Sequence, residues 1–139
     1  MNILFFLTPK SEVAYIQENY TIGQALQTMK KYRYTAVPMI NDAGRYIGTI
    51  TEGDLLWRFL EDEDLTLQEM EHFPVRDIPR RIVNRPVSIN ADITDLIDKA
   101  MQQNFVPVID DDKVFIGIVT RKEILQYCQK KLFGKGKQK

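Results

Sequence analysis

Two rhythms of apolar residues alternate along the chain. Ile22, Ala25, Leu26 and Met29 recur at the spacing of one helix face. Thr21 stands before them, with Gln24 three residues on, so the pattern predicts a capped helix start whose apolar face is core. Tyr34-Thr35-Ala36-Val37-Pro38-Met39-Ile40 is rich in β-branched and aromatic residues and predicts a strand. Asn41-Asp42-Ala43-Gly44 is turn chemistry, and residues 45–51 predict the returning strand of a hairpin. A helix is expected over 54–60. Upstream, Val13-Ala14-Tyr15-Ile16 predicts a short strand after the turn-prone Thr8-Pro9-Lys10-Ser11. The order is strand, helix, strand, strand, helix.

The same order then returns. Val87-Ser88-Ile89 predicts a strand, Ile93, Leu96, Ile97 and Ala100 a helix, Phe105-Val106-Pro107-Val108-Ile109 a strand, 110–113 a turn, 114–120 a strand and 122–132 a helix. Between the copies lies the acidic run Glu61-Asp62-Glu63-Asp64, expected as a solvated connector because it lacks the spaced, glycine-containing loop that gathers carboxylates on a cation. Leu67, Met70 and Phe73 predict a short amphipathic helix with Thr66 as cap and Glu69 as its reciprocal partner, ended by Pro74. Counting from Met29 to Pro38 and from Ala100 to Pro107, the helix-to-strand turn is expected to be two residues shorter in the second copy, making the two copies inequivalent there.

The repeat has a fixed offset. Gly117 follows Gly48 by 69 residues (117 minus 48), and the same step carries Val37 onto Val106, Pro38 onto Pro107 and Thr51 onto Thr120. In each copy a strand runs into Thr-x-x-acid, Thr51 to Asp54 and Thr120 to Glu123, the spacing of a capping box. A helix N-terminus has unbonded N–H groups and partial positive charge, so it can take a phosphate as well as a cap. One reading is that these residues only cap helices; the other is that both tips also receive an anion.

Composition narrows the classes. With 19 Lys and Arg against 19 Asp and Glu the formal net charge is zero, which argues against nucleic acid as a partner. The basic tail 135–139, with Lys130 and Lys131 upstream of it, is expected to be a solvated end. Cys128 is the sole cysteine, so no internal disulfide can form, and a reducing cytoplasm is the expected compartment. Its neighbours Ile124, Leu125 and Tyr127 suggest packing. A single histidine, His72, leaves little for a multi-histidine metal site or a Ser-His-Asp triad. The apolar residues 1–7 lack the positive start of a signal peptide and the length of a membrane span. They are expected to pack onto the protein or onto a second copy of it.

At Val37-Pro38 with Gly48, Thr51 and Asp54, and at Val106-Pro107 with Gly117, Thr120 and Glu123, the chain resembles the CBS-domain family in its tandem arrangement, the Bateman module. The resemblance runs from about Thr8 to Leu132. It implies an α/β (α+β) fold of two β-α-β-β-α repeats related by a pseudo-twofold axis. The expected divisions are 1–64 for the first repeat with its apolar N-terminal segment, 65–76 for a connector, 77–132 for the second repeat and 133–139 for a basic tail. It further implies a non-catalytic regulatory module, with no cofactor required, that binds AMP, ADP, ATP, S-adenosylmethionine or cyclic di-AMP and signals to a partner protein. Val13, Ala14, Tyr34, Thr35, Ala36, Pro38, Phe105, Val106 and Pro107 match the base-contacting strands. Asp54 suits a ribose diol, and Thr51, Thr120, Arg121 and Lys122 suit phosphate, with Arg80 and Arg81 adding to the positive charge. Glu123 departs from the family's Asp, reaching past the ribose or folding back as a cap. Arg121 and Lys122 as solvated helix-start charges remain the alternative. A homodimer is implied, through helices 55–60 and 124–132, although Trp57 also fits a monomer's core. The competing function is a structural adaptor that dimerises without nucleotide. A third, an enzyme, finds no spacing that organises acid and base residues. Membrane and nucleic-acid partners are not expected.

Overall fold

Helix starts and hairpin turns fall where local chemistry dictates. Thr21 and Gln24 form a reciprocal capping box at the start of α1 (Ile22–Tyr32), and Asp92 and Asp95 form another at the start of α4 (Ile93–Ala100). Thr66 caps the short α3 (Leu67–Met70), accepting from the Glu69 N–H and donating to its carboxylate. In each hairpin the turn acid or amide, Asn41 or Asp110, accepts two backbone N–H groups through Oδ1. Gly44 and Lys113, 69 residues apart, both adopt positive φ, 79° and 67°.

The computed structural model describes residues 2–61, 64, 66–80 and 83–137. The remaining elements are β1 (Thr8–Pro9), β2 (Ile16–Gln17), β3 (Ala36–Ile40), β4 (Tyr46–Thr51), α2 (Glu52–Glu61), β5 (Val87–Ser88), β6 (Phe105–Ile109), β7 (Phe115–Thr120) and α5 (Arg121–Lys137). Most of the acidic run's centre (Asp62 and Glu63), together with Leu65, Arg81 and the final Gln138-Lys139 of the tail, lies outside the described residues.

The chain divides into two compact units. One comprises Ala14–Asn84 and the other combines Met1–Val13 with Arg85–Lys139. In the first unit β2 pairs parallel to β3, and β3 antiparallel to β4. Ile16, Ile22, Ala25, Val37, Met39, Ile50 and Val75, all fully buried, form its core with α1 and α2 laid against it. In the second unit β5 pairs parallel to β6, β6 antiparallel to β7, and β1 adds antiparallel to β7 as a fourth strand. Its core holds Ile3, Leu96, Val106, Val108, Val119 and Ile124.

Four expectations change. Residues 1–13, grouped by sequence with the first repeat, pack with the second: Ile3 is buried in its core, with Phe6 and Leu7 against it. Thr8 and Pro9, read as a turn, form β1, whereas strand pairing near 13–16 is confined to Ile16 and Gln17. The connectors between helix and strand are three residues (33–35) in the first copy and four (101–104) in the second, so the second is not the shorter. Helix length absorbs the count, because α1 runs 11 residues to a left-handed Arg33 and α4 only 8. Finally, α5 continues to Lys137, into the segment expected as a solvated end.

Candidate functional site

The tip of α2 is built as the spacing requires. The Asp54 N–H donates to Thr51 Oγ1 at 3.1 Å and the Thr51 N–H donates to Asp54 Oδ2 at 3.0 Å, closing a reciprocal box around a carboxylate only 3% exposed. The Glu52 N–H donates to the Thr35 carbonyl at 2.9 Å, binding the start of the helix to the entry of β3. Ala36 stands opposite Thr51 in the ladder and Pro38 opposite Thr49. Tyr34 and Thr35 line a cleft of about 590 Å³ with Leu26, Met29, Lys30, Arg33 and Glu52. Tyr34 is half-buried against the core, with the Tyr32 ring 5.8 Å away. The first unit thus brings Tyr34, Thr35, Ala36, Pro38, Thr51 and Asp54 to one end of its hairpin. Val13 is buried and Ala14 partly so, and the boundary between the two units falls between them.

Arg80 belongs to the same unit. Its guanidinium lies across Gly48: a Cβ at that position would stand 2.8 Å from Arg80 Nε and 3.0 Å from Cζ. A larger residue at 48 would have to displace the arginine side chain. Arg80 is exposed, and among the described residues no carboxylate pairs with it. Its charge reaches the phenol of Tyr46, whose pKa burial pushes up to about 12 against the opposing pull of the Thr49 hydrogen bond and of Arg80.

The second unit repeats the plan with its groups differently engaged. Phe105 stands opposite Thr120, and the Arg121 N–H donates to the Asn104 carbonyl at 2.9 Å, the counterpart of Glu52 and Thr35. Phe105, Val106 and Pro107 are all buried. Glu123 folds back: its Oε1 accepts from the Thr120 hydroxyl and from the Thr8 hydroxyl, both at 3.4 Å, while the Glu123 N–H donates to Thr120 Oγ1 at 3.3 Å. The longer side chain therefore links α5 to β1. Arg121 Nε donates to the carbonyls of Ala100 (2.7 Å) and Gln103 (3.1 Å), so this cation closes the C-terminal end of α4, where partial negative charge collects. Lys122 is exposed. Gly117, at φ 153°, faces a backbone: a Cβ there would come within 2.2 Å of the Thr8 carbonyl oxygen. The same glycine thus admits an arginine side chain in one copy and a whole strand in the other.

Sequence reasoning passed over Tyr46, Thr49, Asn84 and Gln103. Gln103 is buried and clamps Arg85, accepting its N–H and donating Nε2 to its carbonyl, with a second donation to Phe105 O. The signal for Tyr46 and Thr49 is present at the repeat offset, where Phe115 and Ile118 take their places without hydroxyls. No cluster of three or more His, Cys, Asp or Glu side chains able to hold a metal occurs among the described residues, and none of their helices is long and apolar enough to cross a membrane.

Comparison with known proteins follows this architecture closely. The cyclic di-AMP receptor B of Bacillus subtilis is 26% identical over 130 residues, covering 90% of this chain and 84% of that protein. Among solved structures, a CBS domain protein from Streptococcus pneumoniae superposes with a TM-score of 0.81 at 28% identity, covering 93% of this chain and 87% of that one. CbpB, solved in complex with cyclic di-AMP, gives a TM-score of 0.83 at 25% identity, covering 100% of this chain and 91% of that one. The sequence model of the CBS domain matches residues 6–61 and again residues 75–130, one match to each repeat. The chain therefore belongs to the CBS-domain family and carries the domain as a tandem pair.

Proposed function

We propose that the chain is a non-catalytic nucleotide sensor, with cyclic di-AMP as the first ligand to consider and AMP, ADP, ATP and S-adenosylmethionine as the other adenosine-bearing candidates. The observation that carries this reading is the tip of α2 with Arg80 beside the same strand. A carboxylate at the helix tip suits a ribose hydroxyl, while a threonine hydroxyl and an exposed guanidinium suit phosphate. The likeness to a cyclic di-AMP receptor along nine-tenths of the chain supports the same class of ligand. Val13, Ala14, Tyr34, Thr35, Ala36, Pro38, Phe105, Val106 and Pro107 are proposed as the base-facing set. Thr51, Asp54, Arg80, Thr120, Arg121, Lys122 and Glu123 make up the ribose and phosphate set. Binding shifts the balance between two arrangements of the chain, and a partner protein in the cytoplasm responds to the one favoured.

Thermal unfolding with each nucleotide in turn tests this. A ligand that binds only the folded chain at a hundred times its Kd adds about 2.7 kcal/mol of stability. At least one adenine nucleotide is expected to raise the melting temperature, and no shift with any of them at millimolar concentration contradicts the reading. A second reading, an adaptor that dimerises and holds no nucleotide, is favoured by the second repeat, where Glu123 and Arg121 are engaged by the protein itself. Unchanged partner binding by the Asp54→Ala, Thr120→Ala double variant in nucleotide-free buffer is its distinguishing result.

A further inference from the structure

The ladder between β3 and β4 passes from Met39 opposite Gly48 to Ile40 opposite Tyr46, leaving Ile47 as an extra residue. That bulge turns Tyr46 to the face that carries Thr49. Their oxygens lie 2.7 Å apart, and Tyr46 Oη lies 2.7 Å from the Asn84 carbonyl oxygen. A carbonyl only accepts and a phenol has one proton, so Tyr46 donates to Asn84 and Thr49 donates to Tyr46. Thr49 is 1% exposed and Asn84 is buried, so water competes little for these bonds.

Asn84 follows Arg80 by four residues in the segment leading to the second repeat. Before Arg80, Ile78 is buried in the first unit's core and its N–H donates to the Val75 carbonyl. Arg80 therefore sits between two fixed points, and Gly48 supplies the space beneath it. The second repeat offers no counterpart: Phe115 is 1% exposed with no hydroxyl, Ile118 replaces the threonine, and Gly117 is covered by β1.

We propose that Tyr46 and Thr49 are positioning residues that anchor the chain at Asn84 and so hold Arg80 across Gly48, ordered in advance for a nucleotide phosphate. This rests on the nucleotide reading above and assigns the ordered phosphate-binding arginine to the first repeat. An ordered side chain loses less freedom on binding than a loose one. Burial keeps the Tyr46 phenol protonated throughout the physiological range, so the donor is always available.

The test uses the full chain and its Tyr46→Phe, Thr49→Val, Arg80→Ala and Tyr46→Phe/Arg80→Ala variants. Each is titrated with cyclic di-AMP by calorimetry and, without nucleotide, digested with trypsin while cleavage after residue 80 is timed. Loss of one buried hydrogen bond predicts that Tyr46→Phe weakens binding roughly five- to tenfold and speeds cleavage after Arg80. Thr49→Val is expected to do the same to a smaller degree. In the Arg80→Ala background, Tyr46→Phe is expected to cost no further affinity. Equal losses in both backgrounds, or unchanged affinity and unchanged cleavage, overturn the proposal. If the wild-type chain binds no cyclic di-AMP, the phosphate role falls with the nucleotide reading; faster cleavage in Tyr46→Phe then upholds the anchor alone, and unchanged cleavage overturns that as well.

Discussion

Single residues carry the inequivalence of the two repeats. Gly48 and Gly117 occupy matching positions, yet a methyl group at 117 meets the Thr8 carbonyl at 2.2 Å with φ at 153°, whereas at 48 it meets the Arg80 side chain and no backbone. Gly117→Ala is therefore expected to lower stability by about 2 kcal/mol or more, through strain and displacement of β1. Gly48→Ala is expected to leave the melting temperature nearly unchanged while weakening nucleotide binding. Differential scanning calorimetry of the two variants checks the contrast. Tyr46 supplies a pH signature. Its folded pKa, about 12, stands above the unfolded value near 10, so between those limits the unfolded chain releases a proton that the folded chain retains. The associated stability is fully present below pH 10 and declines as pH rises through about 12, by on the order of 2 kcal/mol in all. Chemical denaturation of wild type and Tyr46→Phe across pH 9 to 12 is expected to show a steeper alkaline fall in the wild type; parallel curves contradict the assignment. Thr51 and Asp54 were legible because a cap is set by a local spacing of three. Tyr46 was not, because its partner Asn84 lies 38 positions away and pairs through a backbone carbonyl that has no sequence signature.

At the scale of elements, strong periodicity was readable and short pairing only in part. The helix faces of α1 and α4 and the two hairpins follow from apolar spacing and turn residues, each a local property. The two-residue β1, read as a turn, exists through a partner elsewhere in the chain and has no local pattern to mark it, while β2 was anticipated only at Ile16. For the same reason the N-terminal segment was expected to pack without its site being specified. It covers the edge of β7, and removing residues 2–9 is expected to expose that edge and promote association of chains, measured by light scattering on warming. Arg121 was expected to suit phosphate or, alternatively, to be a solvated helix-start charge, and in the fold its Nε closes α4. Arg121→Ala should cost about 1–2 kcal/mol in thermal unfolding with or without nucleotide, since the loss is one of helix closure.

The molecule as a whole combines two repeats of one design with different functional equipment. On α2, Leu56, Trp57 and Leu60 are exposed, and on α5 Leu125, Leu132 and Phe133 are. Phe59, on the same α2, packs against the first unit's core. Apolar side chains left exposed on a helix suit a contact with a second copy of the chain, and if the implied homodimer forms, light scattering at micromolar concentration is expected to give twice the chain mass. The central claim, that this CBS pair senses a nucleotide, is tested most directly by calorimetric titration of the purified wild-type chain with cyclic di-AMP. Saturable heat with a dissociation constant in the micromolar range or tighter is the predicted result; no heat up to millimolar ligand contradicts it.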